Sequence, residues 1–208
     1  MTSTDRRALL IEAASALFAE RAYDEVTTAE IARRADVAYG LIAHHFTNKR
    51  GLYLATILAA ADRLKAVHES APVGDTPAEL LHDALSRHIA HMEANAKGFL
   101  ALMRGGNGSD PQVHAIIEDL RWQGAVRLLN ALGVAEPVRP ALRTTMGGWV
   151  GYLDEILIDH LEHRDLTRDD LAHLAAATLS AALRAAREID PAVGLDPRMI
   201  ASLAPAEG

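Results

Sequence analysis

Four polar side chains in the first quarter of the chain could form hydrogen bonds to another molecule. Tyr39 and His44 can each donate or accept, whereas Thr28 and Lys49 can donate to an anionic oxygen. None of the 208 residues is a cysteine, so the chain has neither a disulfide nor a thiolate metal ligand. What these side chains bind depends on the elements that present them.

The segment Val26–Tyr53 has the pattern of two short helices and the start of a third. Thr27 and Glu30 have the spacing of a capping box, which predicts that the first helix opens at this point. Val37 is the single apolar residue of the turn. The second helix, at about 38–45, is too short to be stable alone in water, so its apolar side chains must pack against a partner.

Two helices joined by a tight turn, the second short and partly polar, are typical of a helix-turn-helix, although a plain helical hairpin has the same spacing. In a helix-turn-helix the second helix enters the major groove of DNA. Gly40 would let the backbone approach the bases, and Leu41 could pack on a thymine methyl group. Thr28 and Lys49, each at a helix N-terminus, would bind phosphates. The predicted groove-facing residues are Ala38, Tyr39, Gly40, Leu41 and His44.

The same segment resembles the DNA-binding signature of the TetR family of bacterial repressors. The matching features are TT-x-x-IA-x-x-A-x-V, then G-x-x-x-HHF, then NK-x-x-LY. Residues 8–24, with Phe18 and Tyr23, are similar to the family's first helix. The sequence departs from the family pattern at Ala43, where a tyrosine is common, at Leu41, where threonine or serine is common, and at Asp36, which replaces a turn glycine.

This resemblance implies an all-α fold with an N-terminal three-helix head at 1–47 and a helical ligand-binding and dimerisation domain at 48–208. A linking helix at about 48–69 would join the two. The resemblance also implies a homodimer, which requires a palindromic DNA operator. We therefore predict a ligand-responsive regulator, in the first instance a repressor. The alternative is an all-α small-molecule binding or interaction protein whose DNA-binding head is degenerate.

Composition agrees with a helical protein, since 50% of residues are apolar and only 4% aromatic. Residues 1–65 carry nine Lys/Arg and eight Asp/Glu, a net charge of +1, whereas the remainder carries twelve and twenty, a net charge of −8, so the excess of acidic residues lies in the second part. No signal peptide and no membrane-spanning run is visible, which predicts a soluble cytoplasmic protein. Caps and prolines predict further helices at about 76–95, 97–104, 110–133, 140–163 and 167–189. A loose or partly docked tail would follow from Asp190.

An effector cavity in these helices would have adaptable apolar and aromatic walls, which favours an apolar or aromatic ligand. Each candidate could equally fill the core. The candidate wall residues are Met92, Phe99, Met103, Trp122, Met146, Trp149 and Tyr152, and the polar residues that could orient a ligand are His88, His91, Asn95 and Asp154.

The ten histidines raise the possibility of a metal site or an enzyme. Glu79 and His82 have the spacing used in di-iron helical bundles, but such a site needs a second Glu-x-x-His motif and two more inward carboxylates. Only Asp170 and His173 resemble the second motif. The glycine-rich loop at 105–109 follows no strand and lacks a following Lys-Ser/Thr, which disfavours nucleotide binding. We therefore predict no metal, no cofactor and no enzymatic activity.

Overall fold

The computed structural model describes residues 3–104 and 110–203, and within those ranges every regular element is helical. The all-α fold class is confirmed. A short 3-10 helix, Tyr23–Glu25, follows the first α-helix. The α-helices are α1 (Ser3–Glu20), α2 (Thr28–Arg34), α3 (Gly40–Phe46), α4 (Lys49–Glu69), α5 (Pro77–Ala94), α6 (Ala96–Arg104), α7 (Pro111–Ala131), α8 (Pro140–His163), α9 (Arg168–Ile189) and α10 (Pro197–Ser202).

The helices predicted from the sequence begin and end within two residues of those observed. The predicted glycine-rich loop at 105–109 lies outside the described residues. No helix in the described ranges is long and apolar enough to cross a membrane. The chain forms two compact units. The first contains Met1–Lys65 and Asn95–Glu118, and the second contains Ala66–Ala94 and Asp119–Gly208, so α4 and α7 each contribute to both.

In the first unit, α1 packs against α2 and α6 around one apolar core. Leu10, Val26 and Ile31 are completely buried there. Phe18 and Tyr53 contact each other edge to face, with ring centroids 5.0 Å apart, and Tyr23 packs against both rings. These contacts fix the start of α4 against α1, and α4 follows directly after α3.

In the second unit, α9 packs against α5 and α8. Thr167 and Asp170 form a capping box that starts α9. The side chain of each accepts a hydrogen bond from the backbone N–H of the other. The buried face of α9 is rich in alanine, which lets neighbouring helices approach closely. Trp149 on α8 lies in this core, and its indole N–H donates to the backbone oxygen of Ala175 at 3.1 Å.

The segment after α9 is docked, and the additional helix α10 was not predicted. Val193, Leu195 and Ile200 are buried, and the buried Ser180 hydroxyl of α9 donates to the backbone oxygen of Ile200 at 3.1 Å. Asp196 caps α10 by accepting from the backbone N–H of Arg198 at 2.8 Å. Pro191 lies in a turn and Pro197 at the first position of α10, where proline is favoured, so the part of the predicted loose or partly docked tail that the structure describes is docked.

Candidate nucleic-acid interface

The start of α2 is fixed by the predicted capping box. The Thr27 hydroxyl accepts from the backbone N–H of Glu30 at 3.2 Å, and the Glu30 carboxylate accepts from the backbone N–H of Thr27 at 2.9 Å. Hydrogen bonds from the Thr27 backbone and side chain, and then from Arg21, lower the pKa of Glu30 to about 2. Glu30 is therefore ionised and occupied within its own helix.

The turn between α2 and α3 is a Schellman motif. The backbone N–H of Val37 donates to the oxygen of Ala32 at 3.1 Å, and the N–H of Asp36 donates to the oxygen of Arg33 at 3.3 Å. Asp36 adopts the left-handed conformation, with φ of 50°, at the position where a glycine is usual. Val37 packs against the core and anchors the turn.

Helix α3 has one buried and one exposed face. Ile42 and Phe46, four residues apart, are buried in the core of the first unit. Gly40 and His44, also four residues apart, are exposed. The helix begins at Gly40 rather than Ala38, although the backbone oxygen of Ala38 already accepts from Leu41 at 3.0 Å. Burial of one face is what stabilises so short a helix.

Two contacts position predicted phosphate- and base-binding side chains. The Thr28 hydroxyl at the start of α2 donates to the Tyr39 hydroxyl at 3.3 Å, which joins the two helix starts. The Lys49 ammonium lies 4.2 Å from the centre of the Tyr23 ring, a cation–π contact. Asn48 caps α4 by accepting from the backbone N–H of Gly51 at 2.9 Å. The contact between Tyr23 and Lys49 could not be predicted from the sequence, because no local spacing rule relates residues so far apart.

The predicted interface residues differ in their exposure to solvent. Ala38, Tyr39, Gly40 and His44 are exposed, and Tyr39 is 63% exposed. Thr28 and Lys49 are half-buried. Leu41 is also half-buried and packs against the core, so only part of its side chain is available to a thymine methyl. The His44 ring contacts the His45 ring edge to face.

The first turn of α4 is tied to the start of α7. The Arg50 guanidinium forms two hydrogen bonds to the Asp110 carboxylate, at 2.8 and 2.9 Å, and a third to Gln112 at 3.1 Å. These bonds lower the pKa of Asp110 to about 2, so the pair remains charged at neutral pH. Arg50 adjoins Lys49 in the chain, so the ion pair connects the candidate interface to a helix shared by both units.

The seven predicted cavity residues are divided between the two units. Phe99 and Met103 belong to the first unit, and the other five belong to the second. Met92, Met146 and Trp149 are buried core residues, whereas Trp122 and Tyr152 are half-buried. Of the polar candidates, Asp154 is paired with Arg121 at 2.6 Å. Within residues 3–104 and 110–203, no three His, Asp or Glu side chains lie close enough to hold a metal ion.

Two protein-family models match the chain, one in its N-terminal part and one in its C-terminal part. The model described as "Bacterial regulatory proteins, tetR family" matches residues 10–56. The model described as "Tetracyclin repressor-like, C-terminal domain" matches residues 77–187, which is more than half of the chain. The chain belongs to the tetR family. It is a DNA-binding transcriptional regulator with a helix-turn-helix, as the resemblance predicted.

The relatives that match are also transcriptional regulators. The transcriptional activator FasR of Mycolicibacterium smegmatis is 29% identical over 115 residues, which are 55% of this chain and 52% of FasR. The transcriptional regulator BetI of Yersinia pestis is 32% identical over 111 residues, which are 53% of this chain and 48% of BetI. The chain thus spans about half the length of the curated relatives it matches.

Solved structures agree with the fold over a longer stretch. A tetR-family transcriptional regulator from Streptomyces coelicolor has a TM-score of 0.84 and 27% identity, and the match covers 100% of this chain and 93% of that one. FadR from Bacillus subtilis, crystallised in complex with stearoyl-CoA, has a TM-score of 0.61 and 19% identity, covering 84% of this chain and 96% of FadR. The second likeness extends to the fold alone.

Proposed function

We propose that this tetR-family regulator is a homodimeric repressor that binds a palindromic operator through α3 and is released by a small-molecule effector. It would act in the cytoplasm, where bacterial DNA lies. We keep the division of labour predicted from the sequence, with residues 1–47 reading DNA and residues 48–208 binding the effector and the second protomer.

The observation that carries the DNA-binding part is the division of α3 into two faces. Ile42 and Phe46 attach the helix to the core, whereas Tyr39, Gly40 and His44 are exposed and could meet base edges. Thr28 and Lys49 flank this face and would bind phosphates, which set the register of the protein on the duplex without reading sequence.

The dimer is supported by the exposed faces of α8 and α9. Gly148 and Gly151 on α8 are exposed, and a methyl group added to either would meet open space. Ala177 and Ala181 on α9 are exposed at helical spacing. Small residues let helices approach closely, so two such pairs from two protomers would form a four-helix bundle. A two-fold dimer would present two copies of α3 to successive major grooves.

The response to an effector is supported by the two helices that the units share. If an effector stabilises a spacing of the two reading heads that no longer matches successive grooves, the operator is released. Helix α4 continues from the candidate interface into the second unit, and the Arg50–Asp110 pair connects its first turn to α7. An effector of apolar or aromatic character remains our expectation for the second unit.

The test is a titration of the operator, recovered by selection from random duplexes, against wild type, Lys49→Ala and His44→Ala. Lys49→Ala should weaken binding to all sequences alike and reduce the salt dependence, because it removes a phosphate contact. His44→Ala should relax the preference at one symmetric base position. His114→Ala, at an exposed histidine outside the helix-turn-helix, is the matched control. Equal behaviour of all four proteins would refute the proposed interface.

The direction of regulation needs a separate assay, because FasR is named as an activator. A reporter gene downstream of the operator should be silenced by the protein and restored by effector. Stimulation of the reporter would refute the repressor while leaving the DNA-binding role intact.

A further inference from the structure

A second cation of the first unit lies over an aromatic ring, in addition to Lys49 over Tyr23. The Arg7 guanidinium, near the start of α1, lies 5.2 Å from the centre of the Phe46 ring. This distance is within the range of a cation–π contact, and a guanidinium is well suited to packing on an aromatic face. Phe46 is the last residue of α3 and is buried in the core. The contact therefore holds the Arg7 side chain beside the C-terminal end of α3.

Arg7 retains its hydrogen-bond donors for another molecule. It is exposed and, among the residues that the structure describes, forms neither a hydrogen bond nor an ion pair. No acidic residue lies three or four positions away along α1. By contrast, carboxylates hold three other arginines of the first unit at 3.1, 3.6 and 2.8 Å, namely Arg21, Arg34 and Arg50. An arginine whose charge faces a ring instead of an acid keeps its planar fork of N–H groups, which matches the oxygens of a phosphate.

The position of Arg7 complements that of Thr28 at the other end of α3. The Thr28 hydroxyl bonds to the hydroxyl of Tyr39, the residue before α3 begins, whereas Arg7 lies at the end of the helix. Lys49 follows three residues after Phe46 and is therefore at the same end as Arg7. Seven helical residues are about 10 Å long and the major groove is about 12 Å wide. A helix of this length that lies across the groove brings its two ends to the two strands that border it.

We propose that Arg7 is a further phosphate-binding residue of this regulator, held by Phe46 at the end of α3 that is opposite to Thr28. The inference rests on the proposed placement of α3 in the major groove. Arg7 fixes the register of α3 on the duplex and does not read bases, because phosphate contacts carry no sequence information directly. Arg7 and Lys49 are both positioned by aromatic rings, so a DNA phosphate reaches either cation without displacing a carboxylate of the described residues.

A purely structural role for Arg7 predicts a different behaviour. If the guanidinium only covers the Phe46 ring, its removal alters stability slightly and leaves the salt dependence of DNA binding unchanged. A phosphate contact releases a counterion from DNA, so its loss reduces the slope of log K against log salt concentration by about 0.9. In a two-fold dimer the substitution removes two contacts, and the expected reduction is about 1.8. The salt slope therefore separates the two roles.

The experiment titrates the full chain with two duplexes of equal length, the operator recovered by selection and an unrelated sequence, at several salt concentrations. Arg7→Gln removes the charge, and Arg7→Lys keeps the charge but loses the fork. Arg6→Gln is the matched control, because it removes the same charge from the adjacent exposed residue, which has no ring contact. Arg7→Gln should weaken binding to both duplexes by about 10-fold and reduce the salt slope, whereas the control should behave as wild type. Arg7→Lys should be intermediate in affinity with the slope of wild type.

Three results would overturn the phosphate contact. They are an unchanged salt slope for Arg7→Gln, equal effects of Arg6→Gln and Arg7→Gln, and a loss confined to the operator. The second would show that only net charge matters, and the third would mean that Arg7 reads bases. Urea unfolding of each variant confirms that it is folded at the temperature of the titration. If wild type selects no operator, the proposed palindrome fails, and the unrelated duplex still decides whether Arg7 binds a phosphate.

Discussion

His68, at the end of α4, and His88, on α5, form a pair whose facing ring nitrogens are 3.0 Å apart, and this pair makes the stability of the second unit depend on pH. Burial penalises the charged rings and, with the neighbouring basic groups, lowers the pKa of His68 to about 4 and that of His88 to about 3. Both rings are neutral when folded, whereas in the unfolded chain they protonate with the ordinary pKa of about 6.5. Their contribution to stability is therefore complete above pH 6.5 and is lost as the pH falls toward the folded-state values.

The loss between pH 7 and pH 5 follows from these values. One pKa unit corresponds to about 1.36 kcal/mol, so a ring that protonates only on unfolding lowers the free energy of unfolding by about 2 kcal/mol over this interval. The pair together accounts for about 4 kcal/mol, a large part of the roughly 5–15 kcal/mol that stabilises a typical protein. The carboxylates with lowered pKa, such as Glu30 and Asp110 at about 2, titrate below this interval.

The assay is urea unfolding at pH 7, 6 and 5, followed by tryptophan fluorescence. Both tryptophans, Trp122 and Trp149, belong to the second unit, so the signal reports on the unit that contains the pair. The comparison is with the double variant His68→Phe, His88→Leu, which retains every other titrating group, including His163 with its raised pKa. Wild type should lose about 4 kcal/mol more than the double variant. Equal losses would refute the argument that the two rings are buried and neutral.

Three further predictions concern the turn, the dimer and the lysine contact. Asp36→Gly should raise the free energy of unfolding by about 1 kcal/mol, because glycine adopts φ of 50° without strain; an unchanged midpoint in urea would contradict this. Ala181→Arg should convert a dimer of twice 22.4 kDa into a monomer in light scattering, whereas Ala135→Arg, at an exposed loop position, should not; a persistent dimer would exclude this face. Tyr23→Leu should weaken operator binding several-fold by removing the ring beneath Lys49, and Tyr23→Phe should not; equal affinities would show that the ring does not position the lysine.

The sequence was most informative where local rules act. Thr27 and Glu30 predicted the start of α2 because a capping box involves neighbouring residues only. The left-handed conformation of Asp36 also depends on local sequence alone, because aspartate is one of the few residues that tolerate a positive φ. Leu41 shows the limit of that approach, because how far its side chain faces the core depends on the exact rotation of a seven-residue helix.

Contacts between distant residues could not be predicted. The cation–π contact of Tyr23 with Lys49 and the His68–His88 pair join different helices, and spacing within one helix carries no information about either. Helix α10 was missed because the prolines of the C-terminal segment indicated irregular chain, although proline is also favoured at the start of a helix, where Pro197 lies.

The measurement that tests the central claim most directly is selection of random duplex DNA on the purified wild-type protein. A dimer that reads successive major grooves through α3 predicts an enriched palindrome whose half-sites are about one helical turn apart, bound far more tightly than random DNA. Failure to enrich any sequence, with affinity no better than roughly micromolar at physiological salt, would mean that only non-specific phosphate contacts are made. That result would contradict the proposed operator-binding function and favour a small-molecule binding protein with a degenerate head.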